Sequence, residues 1–165
     1  DLHELRELLQ NPDYVARFDQ LKPLNKVALV KRKIKGELTG GNLMVVTSTL
    51  GTPSQIKTKN KILFLEELCE RAYRVDRCLQ QMKQAGVFKN VKAVVFGDFI
   101  DCHEPNKDNH IQAILKDFFK DFKIPVFSGV EAGHGLRQRP LFFNTEVHLA
   151  CGEKPQMLVY SAFKE

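Results

Sequence analysis

A chain of 165 residues, 43% of them hydrophobic, is long enough to bury one substantial core and too short for two large domains. Its 25 Lys and Arg are interleaved with 20 Asp and Glu and leave a net charge of only +5, a balance that favours solubility and argues against a nucleic-acid surface. No segment reaches the roughly 20 apolar residues that a membrane-spanning helix needs, and the N-terminus lacks the basic-then-apolar order of a signal peptide. Cys69, Cys78, Cys102 and Cys151 form no CxxC pair and no Cys/His cluster at zinc-ligand spacing. They read as free thiols in a reducing compartment, with no metal and no cofactor implied. The chain opens at Asp1 rather than at a methionine, so we expect a piece of a longer protein.

In chain order, Leu2, Leu5, Leu8 and Leu9 recur at helical spacing until Asn11-Pro12 ends the pattern. Residues 1–25 are therefore read as a peripheral helix and linker, and 26–165 as the domain proper. Val27, Ala28, Leu29 and Val30 read as a strand continuing through Ile34. A turn-rich Thr39-Gly40-Gly41-Asn42 precedes the apolar stretch 43–50, which periodicity leaves open between strand and helix. Residues 61–66 have the composition of a buried strand. Residues 72–84 form an amphipathic helix with Val75, Cys78, Leu79 and Met82 on one face, closed by Gly86.

The alternation then repeats. Residues 91–96 are a strand running into Gly97-Asp98, and a polar loop spans 101–109. A helix over 110–122 buries Ile111, Ile114, Leu115, Phe118 and Phe119, and 124–127 is another strand. A Gly133-His134-Gly135 turn follows, and the strands 147–150 and 156–160 close the chain as a hairpin across Gly152-Glu153-Lys154-Pro155. Strands alternating with helices and finishing in a hairpin predict a mixed α/β domain.

Two residues carry the chemistry. His134 is the side chain type that titrates near neutral pH, at about 6.5 when unperturbed, and its flanking glycines let backbone and substrate approach closely. Glu66, ending the apolar run Ile62-Leu63-Phe64-Leu65, could hold the far ring nitrogen of such a base and stabilise the imidazolium. Each residue alone also fits ordinary structure. Gly40-Gly41-Asn42 is either an anion-binding turn at a helix N-terminus or a structural one. Arg74, within Tyr73-Arg74-Val75-Asp76-Arg77, would suit either a substrate carboxylate or a docking contact between domains. Cys102-His103-Glu104 looks like a thiol beside a base, but adjacent loop residues rarely face one another. Lys31-Arg32-Lys33 with Lys35 fits the outer face of a strand better than a nucleic-acid stripe.

Taken in order, Gly40-Gly41-Asn42-Leu43, Gly51-Thr52-Pro53, Ile62-Leu63-Phe64-Leu65-Glu66-Glu67, Tyr73-Arg74-Val75-Asp76-Arg77 with Leu79, and Gly133-His134-Gly135 resemble the LD-carboxypeptidases. These are serine peptidases that trim D-alanine from murein tetrapeptides, and the group includes the microcin C immunity peptidases. The resemblance runs from about Gly36 to Gly152 and is to the family's C-terminal domain. It implies a mixed-sheet, swivelling β/β/α-type domain. It also implies a Ser-Glu-His triad in which Glu66 is the acid and His134 the base, with the Gly41-Asn42 turn near the active site; Gly41 and Asn42, together with Arg74 from its own residue type, are the expected substrate contacts.

The family's nucleophile lies in an N-terminal domain, and nothing here matches it. Ser48 falls in an apolar run, Ser54 follows a proline, Ser128 ends a strand and Ser161 is near the C-terminus, so none has the strand-turn-helix setting of a nucleophile. The oxyanion donors, worth about 3–4 kcal/mol of barrier, would be missing with that domain, and this chain alone should be inactive. The resemblance further implies a cytoplasmic homodimer at full length, acting without cofactor on a muropeptide or related small peptide. Two departures stand out: Glu67 where the family often has Asp, which loosens the register between Glu66 and Glu67, and Ser54 where an aromatic residue often follows Gly-Thr-Pro. A non-catalytic muropeptide-binding module of the same fold is the alternative expectation.

Overall fold

The apolar runs of the sequence become the parallel centre of one sheet. A computed structural model describes residues 2–104 and 111–161. In it, β3 (Arg32–Asn42), β4 (Ile62–Leu68), β5 (Ala93–Ile100) and β6 (Val126–Ser128) lie side by side and parallel. The flanking strands β1 (Val15–Phe18), β2 (Lys22–Pro23), β7 (Glu146–Cys151) and β8 (Gln156–Tyr160) are antiparallel. The order across the eight-stranded sheet is β1-β8-β7-β3-β4-β5-β6-β2. Helices α2 (Leu43–Ser48), α3 (Ala72–Gln84) and α4 (Ile111–Phe119) join the parallel strands, while α1 (Leu2–Gln10) precedes the sheet.

Strand β4 shows why the centre is parallel and covered on both faces. Ile62, Leu63, Phe64 and Leu65 are all at most 3% exposed, and successive side chains point to opposite faces of a strand. Leu63 and Leu65 join the helix-side core with Leu43, Val75, Leu79, Leu115 and Phe119. Ile62 and Phe64 join a second core with Phe18, Val95, Phe127, Val147, Met157 and Val159. Because that second core takes side chains from central and flanking strands alike, the sheet is curled, with β7, β8 and β1 turned over the far face of β3, β4 and β5. Each such side chain contributes roughly 1.5–3 kcal/mol relative to exposure, so a run buried on only one face would gain about half as much in total.

Three sequence readings are corrected. Residues 27–30 form no strand: Lys26–Leu29 is a 3-10 turn, and β3 begins only at Arg32. The cause is Asn25, whose Oδ1 accepts from Ala28 N (3.1 Å) while its Nδ2 donates to Ile124 O (2.9 Å) and Phe119 O (3.3 Å). A buried amide that satisfies backbone in this way overrides the β preference of Val27 and Val30. The strand read over 91–96 runs on to Ile100, through Gly97 and Asp98. The segment 1–25, read as helix and linker, contributes the edge strands β1 and β2, and Leu8, Ala16 and Phe18 within it are essentially fully buried.

The open stretch 43–50 resolves as helix α2, capped by Asn42, whose Oδ1 accepts from Val45 N at 3.1 Å. Helix α3 and strand β8 have the boundaries that the sequence pattern gives. Residues 105–109 of the expected polar loop and His110, the expected first residue of the fourth helix, lie outside the described residues. No helix among the described residues is long and apolar enough to cross a membrane.

Candidate active site

Parallel strands end together, so their carboxyl ends gather the residues that follow each apolar run. Asn42 at the end of β3 is the register partner of Glu66 on β4. On β5 one extra residue is inserted opposite β4, because Leu65 pairs with Phe96 while Glu67 pairs with Phe99. That bulge turns Asp98 toward the loop after β6. Bulges of this kind commonly re-aim side chains beside functional sites.

Strand pleating separates the two glutamates. Glu66 shares the face of Ile62 and Phe64, and Glu67 shares the face of Leu63 and Leu65. Glu66 is buried, and its Oε2 lies 2.7 Å from His134 Nδ1. Glu67 is buried on the helix side, where Oε1 accepts from Asn42 Nδ2 (2.8 Å) and Leu68 N (2.9 Å) and Oε2 from Met44 N (2.9 Å). Glu67 therefore fastens the start of α2 to β4, and Glu66 alone meets the histidine.

His134 stands in the loop between β6 and β7 with its side chain 46% exposed. Its Nδ1 is taken by Glu66, which leaves Nε2 as the nitrogen able to exchange a proton with an incoming group. The hydrogen bond and the charge of Glu66 raise the His134 pKa above the ordinary value, desolvation opposes them weakly, and the Glu67 and Asp98 carboxylates add to the rise. Gly133 makes the approach possible. Its φ of +131° is one that L side chains rarely adopt, and a Cβ there would sit 2.9 Å from Glu66 Oε2.

Asp98 is a site residue that the sequence reading passed over. Its backbone N donates to Ala132 O at 3.0 Å, and its Oδ2 accepts from Gly135 N at 3.1 Å, so it holds the turn on both sides of His134. Burial raises its pKa, against the lowering effect of the Gly135 N–H. The signal was available: like Glu66, Asp98 is an acid that comes just after an apolar run within its strand.

The other residues singled out from sequence are distributed differently. Gly41 lies at the end of β3 with open space where a Cβ would project. Gly40 beside it is forced, since a Cβ there would lie 1.8 Å from Phe64 O. Asn42 spends its side chain on Val45 and Glu67. Arg74 is apart from the Glu66–His134 pair, in the groove between α2 and α3, bonded to Tyr73 Oη (3.1 Å) and Glu70 (3.3 Å). Cys102 is buried, which pushes its thiol up to about 11, and Glu104 instead caps α3 through Tyr73 N. Ser48, Ser128 and Ser161 direct their hydroxyls to Val45 O, Gln112 and Leu8 O.

A sequence model described as the LD-carboxypeptidase C-terminal domain matches residues 35–149. The chain belongs to that family. This LD-carboxypeptidase domain is 40% identical over 143 residues to a putative carboxypeptidase of Rickettsia conorii, covering 86% of the chain and 44% of the relative. It is 34% identical over 141 residues to a probable murein peptide carboxypeptidase of Bacillus subtilis, covering 81% and 43%. Among solved structures, the muramoyltetrapeptide carboxypeptidase of Oxalobacter formigenes superposes with a TM-score of 0.81 at 27% identity, over 96% of this chain and 54% of that one. The chain thus spans less than half the length of the two curated relatives. The mixed α/β fold expected from the resemblance is the one that this chain shares with that structure.

Among the described residues there is no group of three or more His, Cys, Asp or Glu able to hold a metal ion. The acids around His134 are instead committed to the imidazole, to backbone N–H groups and to Asn42.

Proposed function

We propose that this LD-carboxypeptidase domain supplies the acid and the base of a Ser-Glu-His triad, and that the nucleophilic serine belongs to a further domain of the same polypeptide. The observation that carries the reading is the 2.7 Å contact between a buried glutamate and a half-exposed histidine. In this reading His134 Nε2 takes the proton from the serine as its oxygen attacks the carbonyl carbon of the terminal peptide bond. Glu66 holds Nδ1–H and stabilises the imidazolium. The proton passes to the leaving amine, that of D-alanine if the substrate is a murein tetrapeptide. Water then attacks the acyl-enzyme with His134 again as base.

Gly41 offers an open approach at the strand end, and Asn42 keeps one amide hydrogen beyond its two structural bonds. Both are proposed to face substrate. Arg74, lying in a separate groove, better suits contact with the proposed nucleophile domain. We place the full-length protein in the cytoplasm as a homodimer acting without cofactor, and we expect this chain alone to be inactive because nucleophile and oxyanion donors lie outside it.

The test is release of D-alanine from a murein tetrapeptide by the full-length reading frame, with His134→Ala and Glu66→Ala alongside. Both variants should lose activity by several orders of magnitude. Full activity in His134→Ala would remove the triad assignment. Tetrapeptide binding, measured by calorimetry, without turnover in the full-length protein would favour a binding module instead.

A further inference from the structure

The loop over residues 129–145 contains no helix or strand, so its shape depends on individual tethers. Asp98 holds two of them at Ala132 and Gly135. A third, from Arg139 N to Glu131 O at 3.0 Å, closes residues 131–139 into a lobe with His134 inside it. The Arg139 side chain, only 11% exposed, leaves the base of this lobe and enters the far core. There its Nε donates to Glu4 Oε2 (2.9 Å), its Nη2 pairs with Glu4 Oε1, and its Nη1 donates to Arg17 O (2.7 Å). The guanidinium covers the Phe18 ring at 4.2 Å from its centroid. Glu4 is 7% exposed and also accepts from Tyr14 Oη at 3.2 Å.

A buried ion pair of this kind adds little net stability over a well-packed apolar pair, but losing one partner strands a charge, and its forked geometry fixes relative position closely. What it fixes here is the lobe that carries His134 against a helix outside the matched stretch 35–149. We propose that Glu4 and Arg139 are positioning residues for His134: the ion pair clamps the histidine lobe to α1 and the edge strand β1, so that residues 2–18 are a working part of the site. The proposal rests on reading His134 as the general base, since displacement of a reacting group by about 1 Å can cost on the order of a hundredfold in rate.

The experiment follows the imidazole by NMR titration in the 165-residue chain, with Glu4→Ala, Arg139→Gln and the double variant. Glu66, which bonds His134, and Glu67 and Asp98, whose charges act on it from further off, are intact in all three. His148 is an internal control, because it sits on β7 and bonds Glu146 and Tyr160 rather than the lobe. The His134 titration should move down toward the ordinary histidine value in each variant, no further in the double than in the single ones, while His148 titrates as before. An unchanged His134, or His134 and His148 moving together, would overturn the clamp, the second result marking a purely structural role. If a variant does not fold, Glu4→Gln decides: it keeps the volume and weakens the fork, and it should shift His134 partway, with no shift counting against the proposal. In the full-length enzyme Arg139→Gln should lower kcat by roughly 10- to 100-fold with KM little changed. Absence of peptidase activity with an Arg139-dependent His134 would remove the peptidase reading and leave the clamp standing.

Discussion

Replacing Gly97 by alanine should damage the site without touching any residue that would act in it. The Gly97 backbone is not in the left-handed region, so the added methyl acts by volume alone. It would lie 2.2 Å from Ala132 O and 2.7 Å from Phe64 Cζ. The phenyl ring can turn, at about 0.5–1.5 kcal/mol for an off-rotamer angle. The carbonyl is backbone and must retreat by about 1 Å to reach ordinary contact. That same oxygen accepts from Asp98 N at 3.0 Å, and such a retreat carries it out of hydrogen-bond range at a cost of about 1–3 kcal/mol. Together these amount to about 2–4 kcal/mol, or roughly 5–15 °C in Tm for a chain of this size. Ala132 is also two residues from His134, so the imidazole should lose register with Glu66. Thermal unfolding gives the first quantity, and NMR titration of His134 gives the second. A Tm within about 2 °C of the parent, with an unaltered His134 titration, would refute the steric argument.

Other consequences follow from the same geometry. Because the His134 pKa is raised on folding, chiefly by its hydrogen bond to Glu66, its contribution to stability is complete below about pH 6.5. It fades as pH rises through the folded value, so the gap in urea midpoint between parent and Glu66→Gln should narrow from pH 5 to pH 9. Asn42→Ala removes the cap of α2 and the amide that holds Glu67, and should cost about 1–2 kcal/mol by urea unfolding. Of the four cysteines, Cys69 is exposed while Cys78, Cys102 and Cys151 are buried, and burial raises the pKa of all three. A thiol reagent at pH 8 should therefore modify one cysteine quickly, identified as Cys69 by peptide mapping.

Much of the frame was legible before any coordinates. The unbroken apolar run before Glu66 reads as a strand covered on both faces, and the 3.6-residue spacing of Val75, Cys78, Leu79 and Met82 reads as a helix with one buried side. Both signals are local and strong, because burying one such side chain outweighs most propensity differences. The segment at 27–30 was misread for an equally local reason seen too narrowly: Val27 and Val30 favour strand, but the partners of Asn25 at Phe119 and Ile124 lie about a hundred residues away along the chain. Strands β1 and β2 were missed because short edge strands have little periodicity of their own and are defined by the neighbour they pair with.

The site divides in the same way. Sequence by itself determined which residue types were on hand: an acid closing an apolar strand, a histidine between glycines, and an order of motifs that belongs to the LD-carboxypeptidases. Only the tertiary structure decided that Glu66 rather than Glu67 meets the imidazole, that Asp98 holds the turn, and that Glu4 reaches Arg139 across most of the chain. Adjacent residues on a strand face opposite sides of a sheet, and composition does not say which side a distant loop will cover. That choice is made by the pleat, the bulge on β5 and the packing of the lobe against α1.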